Sequence, residues 1–150
     1  MKFRLLSSVV AFVVIGSSCA KSVPIDVRRT NVIAESSDFA SRGDFAGAID
    51  ALMPLVDAGD PEAKFTAGIL VLQIPAEPSV SSAGRYSQAQ GISWISAAAR
   101  AGLPQAAAFL RNAFELGRYG FPKSAAFAAC WRSVELGQRS AVGCPTEQVE

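Results

Sequence analysis

Three glycines constrain this chain more than any other feature. Gly59, Gly102 and Gly137 each end a run of apolar residues at helical spacing, and they succeed one another at 43 and 35 residues. A turn glycine recurring at such an interval marks stacked helix pairs, in which each pair buries its apolar face only against its neighbours. In the run from Asp44 to Ala58 the apolar positions Phe45, Ala48, Ile49, Leu52 and Val56 repeat at helical spacing. Asp44, after Gly43, and Asp60, before Pro61, have the chemistry of N-caps, and Pro61 and Pro104 suit the first turn of a helix.

The same spacing predicts helices over 26–42, 44–58, 61–72, 87–101, 104–116 and 122–136. The first is the weakest, because Thr30, Asn31 and the Ser36-Ser37-Asp38 cluster have poor helix propensity, and Asp26 is its cap candidate. Pro75 to Ser87 is rich in Pro, Ser, Ala and Gly and reads as a loop. The expected fold is therefore all-α, an α/α superhelix (solenoid) of about three antiparallel helical hairpins closed by Gly59, Gly102 and Gly137. The repeat domain spans 26–137, behind a tether at 21–25 and ahead of a C-terminal tail at 138–150.

Residues 1–20 read as an address. Lys2 and Arg4 precede an apolar run from Leu5 to Ile15, and Gly16-Ser17-Ser18-Cys19-Ala20 is a small-residue end. This is the pattern of a secretory signal peptide, and the run is too short to span a bilayer. Cleavage after Ala20 gives a periplasmic or secreted chain starting at Lys21. The alternative is lipidation at Cys19 and membrane anchoring, although the usual Leu three residues earlier is here Gly16. The chain from Lys21 carries a formal charge of −1, and in an oxidising compartment Cys130 and Cys144 form an even pair. Cys130 falls on the stripe Ala126, Phe127, Cys130, Val134, and turns at Gly137 and Gly143 bring Cys144 back toward it. The expectation is a disulfide; the alternative is a buried Cys130 thiol and a reactive Cys144.

The absence of histidine excludes the usual Ser-His and Cys-His catalytic arrangements and most zinc sites. Ser18-Cys19-Ala20-Lys21 matches S-x-x-K but straddles the cleavage point, and no K-T-G follows. Asp57, Asp60 and Glu62 read as cap and first-turn residues rather than a catalytic pair. No phosphate-cradling glycine motif occurs, and a formal charge of +1 does not suit a nucleic-acid binder. The expectation is a chain with no catalytic residue, metal or cofactor.

Gly91-x-x-Trp94-x-x-x-Ala98-Ala99-x-x-Gly102 resembles the second half of the Sel-one-like repeat, a branch of the tetratricopeptide-like helical repeats; only Gly91 departs, where that family has Ala. Ala126-x-x-Ala129-x-x-x-Ser133-Val134-x-x-Gly137 fits the frame more loosely, and Gly59-Asp60-x-x-Ala63 looks like a stretch common near the start of bacterial members. The resemblance covers roughly 42–137 and implies a helical solenoid that binds other proteins. On that basis Gly59, Ala63, Trp94, Ala98, Ala99, Gly102 and Gly137 are structural positions. The family's turn after Leu70 is missing, and the 75–87 loop stands in its place.

Two Arg-Tyr pairs beside loops, Arg85-Tyr86 and Arg118-Tyr119, are the candidate partner contacts. Residues 26–62 carry a balance of −5 and residues 63–140 one of +5, which favours an acidic partner, or another copy's acidic end, for the half bearing Arg85, Arg100, Arg111 and Arg118. The expected function is protein–protein interaction in the bacterial cell envelope. A secreted inhibitor or immunity-type protein acting through the 75–87 loop is the alternative, and a β-lactam-binding or hydrolysing protein follows from family analogy alone.

Overall fold

The computed structural model describes residues 25–74 and 85–146, and among these are six α-helices and no strand. They are α1 (Ile25–Ser41), α2 (Phe45–Asp57), α3 (Pro61–Gln73), α4 (Gln88–Arg100), α5 (Pro104–Leu116) and α6 (Ala125–Glu135). The expected signal peptide with Cys19, the residues before Ile25, and residues 75–84 and 147–150 lie outside the described residues. No described helix is long and apolar enough to cross a membrane.

Local chemistry explains the boundaries. The Asp44 carboxylate accepts from the Gly47 amide, the Asp60 carboxylate from the Ala63 amide, and the Ser87 hydroxyl from the Gln90 amide, each satisfying an amide with no partner inside its helix. Pro61 and Pro104 sit at helix starts, where no amide is needed. Most boundaries fall within one residue of the expected ranges, and two differences bear on the caps. Helix α1 already includes Ile25, so Asp26 is inside it rather than its cap. Helix α6 begins three residues later than expected, because Ser124, not Pro122, supplies the cap through its hydroxyl and the Phe127 amide.

Every extensive helix–helix interface joins neighbours in sequence, as in a superhelix of helical hairpins. The tightest pairs are α1–α2, α3–α4 and α5–α6, and the α4–α5 contact is the slightest. Gly59 and Gly102 therefore turn the chain between pairs rather than at hairpin tips; at φ +89° and +90° they hold backbone that a side chain would strain.

The core has two parts. Ile49, Leu52, Val56, Ala67 and Leu70 centre the first, across α2 and α3. Ile95, Leu110, Phe114 and Trp131 centre the second, across α4 to α6, and both sets include closely packed alanines. Trp131 is fully buried, whereas Trp94 is half-buried at the edge of the first cluster against Tyr86. The buried face of α6 is Ala128, Trp131 and Val134, one position out of phase with the expected stripe; Phe127 is left 40% exposed, resting edge-on against Phe114.

The tail after Gly137 is part of this core. Ala141 and Cys144 are buried, Cys144 is bonded to Cys130 with Cα atoms 5.7 Å apart, and the Trp131 indole N–H donates to the Pro145 carbonyl at 2.7 Å. Because the bridge closes a short loop, reducing it is expected to lower unfolding free energy by about 3 kcal/mol, read as a fall in the urea midpoint.

Helices α3 and α4 approach closely at Gly68 and Gly91. A Cβ at Gly68 would lie 2.6 Å from the Gly91 carbonyl oxygen, and one at Gly91 would lie 2.9 Å from the Val71 Cβ. This gives a steric reason for glycine rather than alanine at 91. Gly68→Ala gains helix propensity of up to about 1 kcal/mol, yet the clash is with backbone and must force the helices apart. The expected net result is a loss of about 1–2 kcal/mol in denaturant titration; a stabilised variant would show that the helices do not approach this closely.

Candidate functional site

The α5–α6 corner unites one expected contact pair with residues the sequence did not single out. Helix α5 ends at Gly117 in the left-handed conformation (φ +65°). A tight turn follows, closed by the Phe121 amide donating to the Arg118 carbonyl, and the Ser124 amide then returns to the Phe114 carbonyl at 2.9 Å. Tyr119 within this turn has φ +57°, the only positive φ of a non-glycine among the described residues. A bulky side chain is seldom found there, and the strain is of order 1 kcal/mol. The Tyr119 ring is stacked on Phe109 with centroids 5.2 Å apart, yet 37% of the residue is exposed.

Leu116 and Phe127 are also exposed on these elements, and Phe121 is buried against Phe114 at 4.8 Å. The charges around them are unbalanced. Glu115 and Glu135 are occupied by Arg111 and Arg132: Arg111 reaches Glu135 at 2.7 Å and Glu115 at 3.2 Å, and Arg132 reaches Glu115 at 2.6 Å. The hydrogen bond to Glu135 raises the Arg111 pKa. Arg118 and Lys123 form no ion pair among the described residues, and the Lys123 stem lies against the Gly117 backbone. The corner therefore offers two cations and exposed aromatic and aliphatic groups, a combination common in protein contacts.

The other pair, Arg85 and Tyr86, bonds within the molecule. Both side chains donate to the Asp50 carboxylate of α2, and Tyr86 leans on Trp94 at 5.9 Å. They tie the chain entering α4 back to α2. Burial, reinforced by Asp50, raises the Tyr86 pKa to about 12. An acid held protonated in the fold contributes stability that is complete below its unfolded pKa, near 10, and lost as pH rises through about 12. Tyr86→Phe is expected to remove a phenolate absorbance step near pH 12 and to flatten the alkaline loss of stability.

Among the described residues there is also an apolar groove of about 350 Å³ between α1, α2 and α3, with Ile33, Ala40, Leu55 and Leu70 on its walls and Asp60 and Glu62 at one edge. Arg29 of α1 bonds both acids, reaching Asp60 at 2.9 Å, and thereby locks α1 to the start of α3. Burial pushes the Asp60 pKa up, but the bonds from Arg29 and the Ala63 amide outweigh it, and the net shift is downward. A depressed carboxylate adds stability above its usual pKa that is lost as pH falls through its folded value. Acidification from pH 6 toward 3 is therefore expected to weaken the wild type more than Asp60→Asn, which retains the cap but not the charge; equal losses would remove Arg29–Asp60 as an acid-sensitive lock.

No three or more Cys, Asp or Glu side chains among the described residues gather as metal ligands do. The −5 and +5 halves are less separate in space than in sequence, since Arg85 spends its charge on Asp50 and Arg111 is paired beside its own helix. Arg100 and Arg118 remain without carboxylate partners among the described residues. Lys123, Leu116 and Phe127 were the contributors missed from the sequence. The R-Y-G-F-P-K run did contain the signal, but only the turn brings Lys123 back beside Gly117. Comparison with family models, curated proteins and solved structures finds no match to this chain.

Proposed function

We propose that this chain is an exported binding protein of the bacterial cell envelope, and that its α5–α6 corner docks an acidic segment of another protein that also carries apolar side chains. The observation that carries the reading is Tyr119, strained, half-exposed and stacked on Phe109, between Arg118 and Lys123, which form no ion pair among the described residues. A strained aromatic in a folded turn suggests selection for something other than stability. Two uncompensated cations steer an acidic partner, and the exposed rings supply area that becomes dry on contact. Export is supported by the pattern of residues 1–20 and by a disulfide of the kind oxidising compartments retain. A repeat of the Sel-one-like kind is supported by Trp94, Ala98, Ala99 and Gly102 in their expected order. In this reading the reaction is binding alone, with no cofactor.

The test is a crosslinking pulldown from the native host with the wild type and with Arg118→Glu/Lys123→Glu. The reversal is expected to reduce capture of the specific partner by about tenfold or more while leaving the helical circular-dichroism spectrum unchanged. Wild-type capture should weaken as salt rises from about 50 to 300 mM. Undiminished capture by the reversed protein would place the interface elsewhere.

A further inference from the structure

A second site lies away from that corner, on the face of α4 met by the tail. Ala89, Ser93, Ser96, Ala97 and Arg100 follow one stripe of α4 at spacings of three and four residues. With Ile92 and Thr146 they line a hollow of about 280 Å³. A second hollow of about 410 Å³ shares Arg100 and Thr146 as a common wall and continues along Val142, Gly143 and Pro145. Ser96 is among the residues lining the smaller hollow, but it is only 6% exposed and its hydroxyl oxygen is buried. Its hydroxyl is the one buried side-chain polar atom among the described residues with no hydrogen-bond partner. A serine inside a helix ordinarily returns its proton to a carbonyl one turn back, and a buried hydroxyl left unmatched is destabilising.

The described segments that line the hollows carry charge of one sign. No acidic residue occurs from Tyr86 to Phe114 or from Leu136 to Thr146, whereas Arg100 and Arg139 are both present. Arg139 donates to the Val142 carbonyl, and among the described residues Arg100 finds only the Thr146 hydroxyl. A guanidinium whose sole partner is a neutral hydroxyl retains donors for an oxyanion. The opposite wall is covalently held: Cys144 is bonded to Cys130 and the Pro145 carbonyl is gripped by Trp131, which fixes Thr146 beside Arg100.

We propose that Arg100, Ser93, Ser96 and Thr146 form a binding site for a single carboxylate, either a peptide C-terminus or a small organic acid, and that the Cys130–Cys144 bridge holds it together. The guanidinium takes the carboxylate, rotation of the Ser96 side chain about χ1 gives its proton the missing acceptor, and Ala89, Ile92 and Ala97 leave room for a short apolar group. One cation with neutral hydroxyls matches a monoanion rather than a phosphate dianion.

The probes are acetate and N-acetylglycine, with N-acetylglycinamide as the uncharged control, titrated at constant ionic strength into the 15N-labelled, disulfide-bonded protein. Saturable amide shifts confined to Ser93, Ser96, Ala97, Arg100 and Thr146 are expected with both acids and not with the amide. A stronger response to N-acetylglycine than to acetate assigns the peptide end, and the reverse assigns the small acid. Arg100→Gln should weaken binding by about tenfold. Ser96→Ala should weaken it severalfold while raising thermal stability, whereas a purely structural serine would leave binding unchanged. Reduction of the bridge should also weaken binding severalfold. Equal responses to acid and amide, or no loss in Arg100→Gln, would overturn the proposal. Binding that emerges only in Glu147→Gln/Glu150→Gln would overturn it as well, by showing that the chain's own carboxylates own the site.

Discussion

Helix α3 is the element on which the remainder depends, because it is apolar on two faces and must be covered on both. Ala63, Ala67, Leu70 and Val71 belong to the core shared with α2, while Phe65, Ile69 and Leu72 pack against the core of α4 to α6. A helix without a polar stripe is stable only between neighbours. Its partner α4 approaches closely enough that neither Gly68 nor Gly91 has space for a Cβ. The two clusters therefore communicate through one seam of bare backbone, and the hairpin α3–α4 keeps α1–α2 and α5–α6 in one superhelix.

Small residues and rigid ends divide the work of stability. Fully buried alanines at 48, 67, 98, 99, 106 and 107 allow close helix packing, while Phe114 and Trp131 fill the wider space near the C-terminal end. A terminal helix pair has a neighbour on one side only. Here the missing neighbour is supplied by the chain itself: Ala141 and Cys144 enter the core and the Cys130–Cys144 bridge keeps them there. At the other end, Arg29 performs a comparable task with charge, joining α1 to Asp60 and Glu62 at the head of α3. One end is secured by a covalent bond and the other by a lock that acid opens.

These restraints use some charged groups and leave others without an ion pair among the described residues. Arg85 and Tyr86 are consumed in anchoring α4 to α2, and Arg111 and Arg132 in balancing two glutamates. What remains is Arg118 and Lys123 around a strained Tyr119 at the corner, and Arg100 with an unmatched Ser96 under the tail. Both positions carry cations that form no ion pair among the described residues, the charge that the proposed docking of an acidic ligand calls for.

The sequence by itself determined the helices, the glycine turns and the pairing of Cys130 with Cys144, because these follow from short-range rules. Apolar spacing, capping side chains and left-handed glycines act within a few residues of one another, and an even cysteine pair near two turns has few alternatives. Tertiary structure decided the rest. The phase of α6 followed from where Ser124 caps it and from a tail that draws Trp131 inward, and local periodicity contains neither. Arg85 met Asp50 35 residues away, and no pattern in either segment announces the other. A turn returned Lys123 to Gly117, and Ser96 was buried with its hydroxyl unpartnered. Whether a charge is spent or available is set by distances between segments remote in sequence, and those distances exist only once the helices have stacked.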